Sequence, residues 1–279
     1  MTFEERYIAA RRGAIARDFR RLNEAQLEAA LTTEGPLLLL AGAGSGKTTV
    51  LIQRVYNLLT YGRGSDSDEV PDWATEEDLD FLEHFPDRPD GDEVRRVHRL
   101  CAVDAPRPWE IIAITFTNKA ANEMKERIGK IVDARGMWVC TIHSMCVRIL
   151  RMYASEAGLN QNFSIYSETE RSNIVKKSFQ ECEYEDEKLL KNVKWHIGNA
   201  KMLGLTPAEY AAEYAAERDI DEVVKVYTRY QKHLRENNSL DFDDLLNETR
   251  LLLKNNADAR EYLGGRFRYI LVDEFQDTN

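Results

Sequence analysis

The eight residues Ala41-Gly42-Ala43-Gly44-Ser45-Gly46-Lys47-Thr48 constrain this chain more than any other part of it. Four consecutive leucines, Leu37 to Leu40, precede them, and a helically patterned stretch, Thr49 to Tyr61, follows. The leucine run reads as a strand buried on both faces of a parallel sheet. The pattern GxxxxGK[ST] between such a strand and a helix is a P-loop. Its glycines let successive backbone N–H groups turn toward phosphate oxygens, and the helix N-terminus adds its partial positive charge. Lys47 reaches the β- and γ-phosphates of a nucleoside triphosphate, and the Thr48 hydroxyl is a ligand for Mg²⁺. The nucleotide-binding set is therefore Gly42, Ala43, Gly44, Ser45, Gly46, Lys47, Thr48 and Thr49.

A P-loop needs a carboxylate at the end of a second strand to hold its metal. Asp273-Glu274 directly follows the apolar run Tyr269 to Val272. Asp273 is placed to hold Mg²⁺ through water, and Glu274 to orient and deprotonate the attacking water. Between the two motifs, strands and helices alternate. Glu110 to Thr115 and Trp138 to Thr141 read as strands, Lys119 to Val132 and Ser144 to Ala154 as helices. That alternation predicts βαβ units and a parallel sheet, an α/β fold. Asn23 is placed to cap a helix from Glu24 to Leu31. Thr169 to Asn237 shows only helical patterns, with Thr206-Pro207 as a helix start. It reads as an all-helical subdomain inserted in the α/β domain. Tyr210, Tyr214, Tyr227 and Tyr230 recur there at helical spacing and read as core, and Leu240 to Lys254 is a helix leading back.

Charge is unevenly spread. Residues 64–106 hold 14 Asp/Glu against 4 Lys/Arg, which accounts for the whole net charge of −10 and leaves the remainder neutral. A neutral remainder still accommodates a local basic groove for nucleic acid. The acidic segment also carries four of the seven prolines, together with Trp73, Leu79, Phe81, Leu82 and Phe85. It reads as an insertion over 62–108 with a helix near Glu76 to His84, docked weakly on its parent domain. Two roles stay open for 64–106: docking a protein partner, or repelling DNA from the back of the domain. Cys101, Cys140, Cys146 and Cys182 form no CxxC pair, which fits a reducing cytoplasm. No run of about 18 apolar residues marks a membrane span.

Several stretches together resemble the superfamily 1 DNA helicases of the UvrD/PcrA/Rep type. They are Leu22-Asn23-Glu24-Ala25-Gln26, the P-loop, ITFTNKAANEMKERI at 114–128, TIHSMCVRILR at 141–151, LDFDDLL at 240–246 and VDEFQDTN at 272–279. The resemblance implies a RecA-like ATP-binding domain over 1–155, a helical 1B-like subdomain over 156–238, and a return to the RecA-like domain over 239–279. It implies ATP and Mg²⁺ as cofactors and 3′-to-5′ translocation on single-stranded DNA and at single-strand/duplex junctions, in repair or replication. Gln26 would read the adenine edge, for which an amide is suited because it donates and accepts side by side. Gln276 joins Glu274 and Lys47 in the implied catalytic set. Thr115, Phe116, Thr117, Asn118 and Lys119 would touch single-stranded DNA, with phosphate-binding groups and one stacking ring, and His143 would touch its backbone. Asp241, Asp243 and Asp244 read as acids at a helix N-terminus.

The chain departs from the family at Thr49, where a basic residue is common, and at Phe275, where tyrosine is usual. The second RecA-like domain and its arginine fingers are expected beyond Asn279, so the chain alone is expected to bind nucleotide weakly and hydrolyse it negligibly. An AddA/RecB-type helicase–nuclease and a non-catalytic ATP- or DNA-binding module remain the alternatives.

Overall fold

A computed structural model describes residues 1–42 and 44–277. The chain divides into two compact units, Met1–Thr141 with Gly264–Asn279, and Ile142–Leu263. The helical unit is therefore wider than 156–238, because it takes in the helices that precede and follow that span.

The first unit holds helices α1 (Phe3–Asp18), α2 (Glu24–Leu31), α3 (Lys47–Tyr61), α4 (Glu76–Glu83), α5 (Gly91–Cys101) and α6 (Asn118–Gly129). Its sheet is built from β1 (Ile111–Thr115), β2 (Trp138–Thr141) and β5 (Tyr269–Val272), in the order β2-β1-β5. All pairings are parallel, with Thr115 opposite Thr141 and Ile114 opposite Val272. β1 is central and buried at every residue, as an apolar run between two neighbours must be. Ile111, Ala113 and Leu271 meet Val55 and Leu58 of α3 and Met124 of α6 in one core.

Leu37 to Leu40 depart from expectation. Among the described residues they pair with no strand, and they are between 37% and 87% exposed. Apolar sequence favours burial, but a strand exists only where a neighbour accepts its hydrogen bonds, and β5 is the last strand on its side of the sheet.

The acidic insertion is not weakly docked. Helices α4 and α5 share a core with α1, where Tyr7, Ile15 and Phe19 meet Leu79, Leu82 and Leu100. Charge complements this packing. Residues 1–21 carry six arginines against three acids. Arg6 pairs with Glu83 at 2.8 Å and Arg12 with Asp68 at 2.9 Å. The buried Arg11 donates to the carbonyls of Ser67 and Glu69. Capping boxes start both insertion helices, Thr75 with Asp78 and Asp90 with Glu93.

The second unit contains α7 (Ile142–Met152), β3 (Ser164–Ile165), α8 (Glu168–Glu181), α9 (Glu187–Met202), α10 (Pro207–Glu213), α11 (Ile220–Glu236), β4 (Ser239–Leu240) and α12 (Phe242–Asn255), and α13 (Ala257–Arg266) leads out of it. Helices α8 to α11 enclose a core in which Tyr210, Tyr227 and Tyr230 are buried, with Tyr214 packed against them. No strand interrupts Thr169 to Asn237; the short parallel pair β3–β4 closes the base of this segment. Pro207 occupies the first turn of α10 behind its cap, Thr206.

Among the described residues, no helix is long and apolar enough to cross a membrane.

Candidate nucleotide site and nucleic-acid contacts

The loop before α3 takes the shape its glycines permit. Gly44 and Gly46 adopt left-handed conformations, with φ of 76° and 86°, which other residues adopt only at a cost. Gly46 is also the cap of α3, so the helix begins at Lys47 with its first N–H groups turned toward the loop. Lys47 Nζ donates to the carbonyls of Ala41 (2.8 Å) and Gly42 (3.1 Å), which keeps its ammonium over the loop. Ala43 lies outside the described residues.

Thr48 Oγ1 donates to Asp273 Oδ2 at 3.0 Å. These groups are 225 residues apart in sequence, and the β5–β1 pairing brings them together. Asp273 N donates to Ile114 O at 2.8 Å, so the register of the sheet also fixes the carboxylate. A hydroxyl and a carboxylate side by side are hard oxygen donors, and Mg²⁺ takes few protein ligands beside water and phosphate. The pair therefore fits that ion. Glu274 follows with φ of 53°, a left-handed conformation unusual for a side chain of its size. Its carboxylate is exposed and accepts from Gln276 Nε2. The two expected catalytic partners are thus in contact. Thr278 and Asn279, at the end of the VDEFQDTN stretch, lie outside the described residues.

Gln26 stands beside the loop. It completes the capping box of α2, its Oε1 accepting from Asn23 N. Its Nε2 donates to Ser45 O at 3.0 Å. The amide therefore spans the helix start and the P-loop.

Thr49 carries no charge, but a cation reaches it from elsewhere. Arg127 of α6 donates to Thr49 Oγ1 at 3.2 Å. Sequence reading missed this residue, because nothing local links 127 to 49.

The segment after β1 is largely open. Phe116 is 64% exposed, and Thr117, Asn118 and Lys119 are exposed with it. Thr117 caps α6, accepting from Ala120 N at 3.1 Å. Thr115 differs: its side chain is buried in the sheet, so it offers no side-chain contact to a ligand. A ring in the core would be the ordinary fate of Phe116, and its exposure at a helix start suits base stacking.

His143 belongs to the helical unit, in the first turn of α7. Its ring meets Phe242 edge-on at 5.4 Å. Burial holds its pKa below the ordinary 6.5, with Asp243 pulling the other way. At neutral pH it is an uncharged donor. Arg148 and Arg151 lie further along α7 and, with Ser144, Val147, Met152 and Gln161, line an open cavity of about 390 Å³.

Asp241 and Asp244 do more than favour a helix N-terminus. Asp241 caps α12 in a capping box with Asp244, and both carboxylates hold the buried Lys201, at 2.5 and 2.8 Å. Tyr230 donates to Asp241 at 2.7 Å, and Arg171 lies 3.7 Å from it. Burial pushes Asp241 up, but Lys201 and Tyr230 outweigh that and leave it lowered. Burial, with Asp241 adding, pushes Asp244 up to about 6 against the pull of Lys201. Asp241 and Asp244 thus tie the start of α12 to Lys201 of α9.

The profile of the UvrD/REP helicase N-terminal domain matches residues 22–69 and 94–279. The ATP-dependent DNA helicase PcrA of Staphylococcus aureus (strain Mu50) is 38% identical over 263 residues, which is 92% of this chain and 30% of that protein. The proteins of the same name from Bacillus subtilis (strain 168) and Staphylococcus epidermidis are also 38% identical, with the same coverage. The chain thus spans about a third of the length of these relatives.

Proposed function

The chain belongs to the UvrD/REP helicase N-terminal domain family, and from that premise we propose that it is the ATP-binding portion of an ATP-dependent DNA helicase that moves 3′ to 5′ along single-stranded DNA. The observation that carries the reading is the Thr48–Asp273 contact at the mouth of the P-loop. It joins the phosphate-binding element to the acid of a distant strand, as a triphosphate site requires.

In this reading the N–H groups of 42–48 and Lys47 hold the phosphates, and Thr48 and Asp273 hold Mg²⁺. The bound ion neutralises charge that develops on the phosphates. Glu274 accepts the proton of the attacking water, and Gln276 holds the Glu274 carboxylate in place. Gln26 reads adenine, turning from Ser45 to the base. Arg127 stands beside the first turn of α3, its guanidinium on the Thr49 hydroxyl. Phe116 stacks on a base while Thr117, Asn118, Lys119 and His143 take phosphates, on single strands and at junctions with duplex.

The test is strand displacement by the longest polypeptide carrying this chain, on duplexes with a 3′ or a 5′ single-stranded tail. ATP-dependent displacement from the 3′ tail, abolished by Lys47→Ala, is expected. Displacement that survives Lys47→Ala, or that needs the 5′ tail, refutes the proposal.

A further inference from the structure

Recognition of a base by Gln26 requires a fixed distance between α2 and the P-loop. In a complete sheet the intervening strand would set that distance. Here residues 36–40 pair with no strand among the described residues, so something else must hold the connection.

The turn Thr32–Glu34 is held from two sides. A helix ends with carbonyls that lack intrahelical partners, and at the end of α2 each is taken by a side chain. Arg54 of α3 donates to the carbonyls of Ala29 (3.0 Å), Thr32 and Thr33 (3.4 Å). Asn57 donates to Ala30 O at 3.1 Å, and Ser65 to Leu31 O at 2.6 Å. The donors of the turn go to one carboxylate. Asp66 Oδ2 accepts from Thr33 N, from Thr33 Oγ1 at 2.7 Å and from Glu34 N at 3.3 Å. Asp66 also lies close enough to Arg54 to offset part of the cost of burying that guanidinium.

Asp66 and Ser65 are themselves fixed by α1. Arg11 binds the carbonyls of Ser67 and Glu69, while Arg12 donates to Ser65 O at 3.1 Å and pairs with Asp68. Leu22, Leu27 and Leu31, at and along α2, pack against the core that α1 shares with the insertion. The family profile passes over 1–21 and 70–93, which contain all of α1 and α4. Both helices lie outside the residues that the profile matches.

We propose that α1 and the insertion form a module that positions the nucleotide-recognition helix, and that Asp66 is its positioning residue. The inference deepens the function proposed above and rests on Gln26 reading adenine. It replaces weak docking by a mechanical tie, running from the arginines of α1 through 65–69 and the Thr32–Glu34 turn to Gln26 and Ser45.

The test compares Mg²⁺-ATP and Mg²⁺-GTP binding, by calorimetry, for the unaltered chain and for Gln26→Ala, Asp66→Asn and Arg6→Ala. Arg6→Ala breaks the Arg6–Glu83 pair, which belongs to the same module but not to the tie. Asp66→Asn should weaken ATP binding about tenfold, the worth of one charged hydrogen bond, and narrow the preference for ATP over GTP. Arg6→Ala should leave that preference unchanged, since loosening the module away from the tie does not move α2. If Gln26→Ala narrows the preference but Asp66→Asn does not, the inference is overturned and the adenine reading stands. If Gln26→Ala leaves the preference intact, the adenine reading falls and the inference with it. Should Asp66→Asn not fold, Ser65→Ala takes its place, with the same direction expected and the same outcome overturning it.

Discussion

Replacing Lys201 with methionine removes the only fully buried cation of the helical unit's described residues while keeping most of its volume. Two carboxylates, Asp241 and Asp244, then face each other with Arg171 as the nearest cation, 3.7 Å from Asp241. Breaking one side of a buried ion pair costs about 3–5 kcal/mol. At about 4 °C per kcal/mol for a unit of this size, the melting temperature falls by roughly 10–20 °C. Circular dichroism reports the loss, because the unit is almost entirely helical. Adding Asp244→Asn to Lys201→Met removes one stranded charge and should recover at least about 1 kcal/mol. The pH dependence has a definite sign. Folding raises the Asp244 pKa from 3.8 to about 6, so the folded state binds more protons in that window and stability falls as pH rises through it. Asp241 acts in the opposite sense, its lowered pKa giving stability that is lost as pH falls below its folded value. Asp244→Asn should therefore flatten the slope between about pH 4 and pH 6. A loss below about 1 kcal/mol on Lys201→Met, or a further loss on adding Asp244→Asn, refutes the reasoning.

His143 is held neutral at pH 7 by burial, so affinity for single-stranded DNA should rise as pH falls below 6.5, and His143→Ala should remove that rise; fluorescence anisotropy with a labelled oligonucleotide measures both. The β5 edge bears Ile270 at 66% exposure, and an open apolar edge is a template for association. Ile270→Lys should shift the chain toward monomer in sedimentation velocity, with stability changed by about 0.5 kcal/mol or less.

What was legible in the sequence follows the range of the interactions. The P-loop was readable because its conformation is local: Gly44 and Gly46 sit where left-handed backbone is needed. The start of α2 was readable from Asn23, and the core role of Tyr210, Tyr227 and Tyr230 from their spacing. Leu37 to Leu40 misled because apolarity reports a wish for burial, and burial depends on strands elsewhere in sequence. The large apolar residues of the insertion did signal packing, but their partner was α1, about 60 residues earlier. Helix α5 carried its own signals, Asp90 with Glu93 and Val97 with Leu100 and Cys101, hidden by reading the segment through its charge. Lys201 and Asp241, and Arg127 and Thr49, are pairings between distant residues, and no local pattern announces them.

The central claim is that one site, assembled from the P-loop and Asp273, binds a nucleoside triphosphate with Mg²⁺. The direct measurement is calorimetric titration of ATP into the 279-residue chain with and without Mg²⁺, for the unaltered protein, Lys47→Ala and Asp273→Asn. One binding event is predicted, abolished by Lys47→Ala, with its Mg²⁺ dependence lost in Asp273→Asn. Binding that survives Lys47→Ala, or an Asp273→Asn variant that responds to Mg²⁺ as the unaltered chain does, contradicts the account.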